Sequence, residues 1–263
     1  MRTSEALAFS YFAACCLVPW LRPLPRDRRL RIAGAGALMC LALVAVARLA
    51  PPVVRDWAPG LSILVGYYVT GWFFVRPSLP LEQWLMSWDR RVFGDPTTRF
   101  ARWPRPLMAY LEIVYIGCFL VLPAGFAILA ANGHAALADR YWTIVEAAEF
   151  GAFAPLVVIQ TRPPWAIERK PVLADRAVHR LASLMTENLT IRVNTFPSGH
   201  VAGSLAVALA LLDASPGVGV AALLLAFSIS VAAVVGRYHY FVDGIAGAAL
   251  ALAVWMVAHF AGL

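Results

Sequence analysis

The sequence predicts an all-α fold, a polytopic membrane helical bundle of about eight transmembrane helices with amphipathic helices at its interfaces. Three observations predict it. The chain is 61% hydrophobic and only 14% charged, against roughly 25% charge in a soluble domain. Its mean hydropathy is +0.70. Its apolar residues gather in long runs, and an α-helix needs about 20 of them to cross a hydrocarbon layer about 30 Å thick. No polar linker separates two halves, so the 263 residues read as one membrane domain.

Eight runs qualify as spans: residues 6–21, 32–50, 60–75, 107–131, 141–160, 201–212, 218–235 and 241–263. The sixth is short and borrows from both flanks. Pro51-Pro52, Pro77, Pro104 and Pro106 punctuate the run ends, as residues that interrupt helices should. FAAC, ending at Cys15, faintly resembles a lipoprotein cleavage site. The sequence stays apolar beyond it, so an uncleaved first span is expected. Cys15, Cys16, Cys40 and Cys118 all lie in apolar runs and read as small buried hydrophobes. Neither a disulfide nor a metal site is expected. Asn188-Leu189-Thr190 is a glycosylation sequon too short to carry weight.

Two segments between spans have helical periodicity. Residues 79–93 place Leu81, Trp84, Leu85 and Trp88 at helical spacing, and residues 177–185 place Val178, Leu181, Leu184 and Met185 on one face. Both read as interfacial amphipathic helices, with ordinary packed loop helices as the alternative. Trp57, Trp72, Trp84, Trp88, Trp103, Trp142 and Trp165 cluster at run ends, which predicts an aromatic belt at the headgroup layer.

Alternating crossings sort the loops into two faces. Residues 22–31, 76–105 and 161–200, with the corner at 236–240, share one face and hold 18 of the 22 basic residues. The other face holds Arg2, Arg48, Arg55 and Arg140. The stretch RPLPRDRRLR alone carries five arginines. The positive-inside rule therefore puts the first face in the cytoplasm. Anionic headgroups are partner enough for a net charge of +7, so no nucleic acid is expected.

On that same face three stretches distant in sequence converge. TRPPW ends the fifth run, PSGH opens the sixth, and RYHYFVD joins the seventh to the eighth. They gather Arg162, Ser198, Gly199, His200, Arg237, His239 and Asp243. His239 and Asp243 are four apart and share a face at a helix start. A carboxylate bonded to one imidazole nitrogen fixes the tautomer and leaves the other basic, which prepares a nucleophile or a base. His200, on another helix, can carry a proton to a leaving oxygen. Pro197-Ser198-Gly199 opens a helix, where free N–H groups and the dipole favour an anion, and Gly199 lets backbone approach the ligand. Arginine guanidinium groups match phosphate oxygens in two-pronged fashion. The set suits phosphoryl transfer through a covalent phosphohistidine. No carboxylate cluster or cysteine set suggests a metal, and no cofactor is expected. Glu112, Glu146 and Glu149 are ionisable residues inside spans. Structural pairing is the default for them, and a proton path or polar headgroup pocket the sharper alternative.

PSGH at 197–200, HxxxD as His239 and Asp243, and Arg162-Pro163 together resemble the type-2 phosphatidic acid phosphatase (lipid phosphate phosphatase) superfamily, whose motifs read KxxxxxxRP, PSGH and SRxxxxxHxxxD. The resemblance implies a six-helix phosphatase-like core within residues 105–263, with residues 1–104 supplying the N-terminal spans and an interfacial helix. It implies His239 as nucleophile, Asp243 as its orienting partner and His200 as general acid. Ser198, Gly199 and Arg162 would bind phosphate, and Arg237 is a further candidate approaching from another direction. Two cations of the family pattern are missing: the lysine position is Pro155 and the arginine position Ala233. HYFVDGIAG also looks like the HYxxD stretch of inositol-phosphorylceramide and sphingomyelin synthases.

The leading reading is thus a membrane-embedded, metal-independent phosphatase acting on a lipid or isoprenoid phosphate, with membrane lipids as its surroundings. A phosphotransferase moving a phospho-headgroup to a lipid or inositol acceptor is the alternative. The two missing cations admit a third, a degenerate lipid-binding membrane protein, against which the intact His–His–Asp set stands. Nothing in the sequence sets an oligomeric state. Many bacterial relatives are expected to work on the outer face, whereas the arginine count puts this site inside. A cysteine introduced near Arg169 should react with an impermeant maleimide only after the membrane is opened; labelling in intact cells would reverse the topology.

Overall fold

The computed structural model describes residues 1–168 and 190–262. The expected interfacial helix at 177–185 and the sequon's Asn188 lie outside them. Helices carry the fold: α1 (Thr3–Leu17), α2 (Arg26–Leu49), α3 (Pro52–Gly71), α4 (Leu79–Phe93), α5 (Pro96–Ala101), α6 (Arg105–Leu129), α7 (Ala138–Phe153), α8 (Gly199–Ala214), α9 (Pro216–Val235) and α10 (Phe241–Phe260). Among the described residues the extended pairing is an isolated antiparallel bridge between Thr161 and Asn194. The protein is an all-α membrane helical bundle.

Each of the eight apolar runs contains a helix. By length and apolar composition, five segments suffice to cross a membrane: Thr3–Leu21, Arg26–Leu49, Arg105–Val157, Pro216–Val235 and Phe241–Phe260. The difference from eight has physical causes. Arg105–Val157 is one apolar stretch that a turn divides into α6 and α7, with Gly133 at φ 84, a left-handed conformation that glycine adopts without a Cβ penalty. The helix α8 is short, about 24 Å at 1.5 Å per residue. The helix α3 begins at Pro52, not at residue 60, because proline at a first helical position is pre-set for the helix. It therefore takes Arg55 and Asp56 into its first turns and ends at Gly71, which leaves it less apolar than the run that marked it.

The centre of the bundle is α8, which packs against α6, α7, α9 and α10. Its sequence, GHVAGSLAVALALLDA, is rich in the small residues that let membrane helices approach closely. The helix α7 is buried on nearly every face, so its apolar surface runs all round rather than in a stripe. This corrects one expectation: Trp142 is not a belt residue. It is 1% exposed and donates its indole N–H to the Asp56 carbonyl at 2.6 Å. On the face opposite the histidines, three ion pairs form, Arg55 with Glu5 at 2.7 Å, Arg2 with Asp56 at 2.6 Å and Arg140 with Asp213 at 2.6 Å.

The helix α4 is amphipathic with an unexpected face inward. Of Leu81, Trp84, Leu85 and Trp88, only Leu85 is buried, while Trp84 and Trp88 point outward as suits a headgroup layer. The inward face instead carries Glu82 and Asp89, 2% and 1% exposed. The reason is electrostatic. Arg237 is fully buried with φ 60, and a buried guanidinium must be met by opposite charge. Asp89 accepts from its Nη1 at 2.6 Å and Glu168 from its Nη2 at 2.8 Å. The second Asp89 oxygen accepts the Phe241 backbone N–H at 2.9 Å, which ties α4 to the start of α10.

Asp89→Ala should strand this guanidinium with Glu168 alone. The expected loss is about 3–5 kcal/mol, read as a lowered unfolding midpoint in detergent. Arg90 is 66% exposed and sits 3.6 Å from the same Glu168; Arg90→Ala should cost below about 1 kcal/mol. Equal effects from the two variants would contradict the buried-pair assignment.

Candidate active site

Two helix starts build the site. The Ser198 hydroxyl caps α8 by accepting the Val201 N–H at 3.4 Å, and the Ser198 N–H donates to the Asp243 backbone carbonyl at 3.0 Å. A Cβ at Gly247 would lie 2.6 Å from the Ser198 carbonyl oxygen, so glycine there lets α10 cross this close to the start of α8. Tyr240 precedes α10 and donates its N–H to Asp243 Oδ2 at 3.0 Å, and its hydroxyl donates to the Arg162 carbonyl at 3.0 Å. The three distant stretches therefore meet in one place.

The imidazoles of His200 and His239 lie side by side, with ring centroids 5.5 Å apart and planes at 88°. His239 is buried, and its Nδ1 faces Asp243 Oδ2 at 3.4 Å, a close charge contact without full hydrogen-bond geometry. Asp243 is fully buried. Its Oδ2 also accepts from Asn194 Nδ2 at 2.9 Å, and that same Nδ2 donates to Thr161 Oγ1 at 3.0 Å. On the other side, the His200 ring meets Tyr115 and Phe119 edge-on, with centroids 5.3 and 5.5 Å away. Tyr115 is stacked in turn on Tyr238 at 3.7 Å. An aromatic wall thus holds one imidazole and a carboxylate network the other.

Both imidazoles border one cavity of about 590 Å³. Gly199, Thr195, Arg192 and Trp165 also line it. Its walls come from α3 with Leu61, Leu64 and Tyr67, from α6 with Phe119 and Leu122, and from α7 with Phe153 and Trp142. From Phe153 to Trp142 the α7 wall runs about 16 Å at 1.5 Å per residue. Glu149 also lines it and has no hydrogen bond to any described residue. A Cβ at Gly203 would lie 1.9 Å from Glu149 Oε1, so glycine makes room for this carboxyl one turn after His200. Glu146, by contrast, accepts the Ser62 hydroxyl at 2.5 Å, the structural pairing expected of it. Glu112 is buried on α6.

Of the residues singled out from the sequence, Gly199, His200 and His239 line the cavity and Asp243 backs His239. Ser198 is fully buried and caps α8. The two arginines sit elsewhere. Arg162 donates its Nε and Nη2 to Glu82 at 3.1 and 2.8 Å, and its backbone N–H to the same carboxylate at 2.7 Å. That carboxylate raises the guanidinium pKa above its ordinary value. Arg237 is enclosed by Asp89 and Glu168, as described above. At the two positions where the family pattern has a cation, Pro155 lies in a 3-10 turn, and the Ala233 carbonyl accepts the N–H groups of Tyr238 and His239 at 2.9 and 3.0 Å. Sequence reasoning missed Asn194, Thr195 and Arg192, which belong to no motif. It also missed Glu82 and Asp89, whose seven-residue spacing on α4 was visible. Among the described residues, no three His, Cys, Asp or Glu side chains gather as metal ligands.

A family model described as the PAP2 superfamily matches residues 83–257, from within α4 to near the end of α10. The match takes in Arg162, Asn194, Ser198, His200, Arg237, His239 and Asp243, and leaves out Glu82 and the α3 wall of the cavity. No curated protein and no solved structure matches the chain.

Asn194 orients Asp243 without touching the cavity's histidines in any hydrogen bond of its own. Asn194→Ala should lower kcat about 10- to 100-fold, the scale of a small misplacement of reacting groups. KM on a chromogenic aryl phosphate should stay within about twofold. A change in KM alone would mean that Asn194 shapes binding and leaves the nucleophile's geometry untouched.

Proposed function

The chain belongs to the PAP2 superfamily, and from that premise we propose that it is a multi-pass membrane phosphoesterase cleaving a phosphate ester on a lipid or isoprenoid substrate by way of a phosphohistidine. The carrying observation is the pair of imidazoles 5.5 Å apart at one end of a largely apolar cavity, one of them backed by a buried carboxylate. Asp243 favours a proton on Nδ1 of His239, so Nε2 keeps its lone pair. In the first step Nε2 forms the N–P bond while the bond from phosphorus to the leaving oxygen breaks, and protonated His200 gives that oxygen its proton. In the second step His200 takes a proton from water, the water oxygen attacks phosphorus, and the P–N bond breaks to release orthophosphate. Backbone N–H groups at the start of α8 meet the charge that develops on the equatorial oxygens. No step calls for a metal.

The apolar walls along α3, α6 and α7 suit a hydrocarbon tail entering sideways from the bilayer. In this reading Arg162 and Arg237 are structural cations that clamp α4, and the arginine-rich face carrying the site is cytoplasmic. The whole chain acts as one domain, with residues 1–104 providing the α3 wall of the cavity.

A second reading is favoured by Glu149. A carboxyl with no hydrogen bond to a described residue, in a largely apolar cavity, can receive an acceptor hydroxyl. The second step would then transfer the phosphoryl-bearing group to a lipid or inositol oxygen instead of water. A panel of phosphatidate, phosphatidylglycerophosphate, polyprenyl diphosphate and ceramide acceptors separates the two, by free orthophosphate or by a new phosphodiester.

His239→Ala should abolish turnover, by at least about a thousandfold, in protein that still inserts and elutes like the wild type. Asp243→Asn should leave a trace. Sustained turnover without the His239 imidazole would remove the nucleophile assignment.

A further inference from the structure

We propose that Glu149 reads a hydroxyl on the lipid that leaves phosphorus, so that the substrate class is a lipid phosphate with a free hydroxyl beside its ester; the inference rests on the phosphoesterase reading above. Glu149 stands on α7, is 6% exposed and lines the cavity that holds His200 and His239. It makes no hydrogen bond or ion pair to any described residue. A carboxyl without a partner in apolar surroundings is costly, and nearly every buried polar group in a folded protein has one. The cavity is where a partner can arrive.

The helix beside it is shaped around that carboxyl. A Cβ at Gly199 would lie 3.1 Å from Glu149 Oε2, and one at Gly203 would lie 1.9 Å from Oε1. These glycines are one turn apart on α8 and share a face. Two positions without side chains thus leave room for one carboxyl, against the turn that carries His200. An ionised phosphoryl group offers acceptors only, so an acceptor oxygen of Glu149 pairs with another part of the substrate. Ionised or protonated, a carboxyl keeps an acceptor oxygen, and a neutral hydroxyl meets it without importing charge. Position then names the hydroxyl. In-line displacement puts the leaving oxygen opposite the attacking His239, on the side of His200, and Glu149 packs against the His200 helix. The hydroxyl therefore belongs to the leaving lipid, near its ester oxygen, and the rest of that lipid runs along the walls of α3 and α6.

The test uses the full chain in neutral detergent, turning over a chromogenic aryl phosphate in competition with one of two lipids. One is 1-acylglycerol 3-phosphate, which has a free 2-hydroxyl, and the other is its 2-deoxy analogue. For the wild type, the hydroxylated lipid should half-inhibit at about 10- to 100-fold lower concentration, the scale of leaving a buried acceptor unmet. Glu149→Leu should bring the two lipids within about twofold of each other, since the acceptor is gone. Glu149→Gln, which keeps an acceptor oxygen, should retain most of the preference. A purely structural role would shift both lipids together and leave their ratio as in the wild type, and that result overturns the inference. Where Glu149→Leu fails to fold, Gly203→Ala carries the test: the new Cβ displaces the carboxyl, the ratio should shrink at least about fivefold, and an unchanged ratio overturns the inference. A wild type that binds both lipids equally while releasing phosphate from the aryl ester also overturns it and leaves the phosphoesterase reading standing. A preference confined to the unphosphorylated pair, the monoacylglycerol over its deoxy analogue as phosphate acceptors, would assign the hydroxyl to the acceptor and overturn it as well. A wild type that releases no phosphate from the aryl ester removes the phosphoesterase reading, and this inference with it.

Discussion

The site depends on one buried carboxylate. Asp243 lies fully buried at the start of α10, and a carboxylate taken out of water is costly unless donors replace the water. Its Oδ2 receives the Asn194 amide and the Tyr240 N–H, and it faces His239 Nδ1. Its backbone carbonyl receives the Ser198 N–H that opens α8. A single residue thus fixes a histidine, a helix start and the loop before that helix. The bonding is not complete: among the described residues, His239 Nδ1, Asp243 Oδ1 and Asn194 Oδ1 are buried without a partner. Such atoms are rare in a folded protein and call for an explanation. Their clustering around His239 is what a site that trades local satisfaction for reactivity should look like.

Charge neutralisation by α4 is the second constraint. A bilayer tolerates arginine within a bundle only when it is paired or lines water. Glu82 and Asp89 face the same way on α4 and meet Arg162 and Arg237. Each of those arginines belongs to a stretch that also carries the site, the first through the Tyr240 hydroxyl on the Arg162 carbonyl, the second through the His239 corner. The pairs therefore bear on the site indirectly, by fixing two loop segments against α10. The family match begins at residue 83, so it takes in Asp89 and most of this helix.

Much of this was legible in the sequence, and the rest was not for identifiable reasons. Apolar runs and prolines located the long helices, because the bilayer demands long apolar segments and proline breaks them; helical spacing located α4, and the six-residue α5 was not foreseen. Motif residues His200, His239 and Asp243 could be grouped because alternate crossings force three loops onto one face. The partner of each arginine could not be read, since an RP pair or an RYHY corner looks the same whether its guanidinium faces phosphate or Glu82. The stripe of Leu81, Trp84, Leu85 and Trp88 suggested the wrong inward face for α4, because tryptophan prefers the headgroup layer while buried arginines draw acids inward. Asn194 and Arg192 carry no spacing signal at all. Asn194 is placed by a tertiary contact with Asp243 and Arg192 sits in a left-handed backbone, neither of which a linear pattern encodes.

The length of α8 has a chemical consequence. At about 24 Å it is shorter than the hydrocarbon layer of about 30 Å, so its two ends cannot both reach a membrane surface; His200 sits in its N-terminal turn. The Tyr115–Tyr238 stack and Phe119 then wall that turn on one side, and the apolar flanks of α3 and α7 continue the wall inward. In the reading proposed above, water approaches from the rim and a lipid along the cavity. The same enzyme-like core can therefore favour hydrolysis or transfer according to how well the rim is closed when substrate is bound. In that reading, acceptor choice falls to the loop from Thr190 to Pro197 and to Glu149, since both outcomes use the same two histidines.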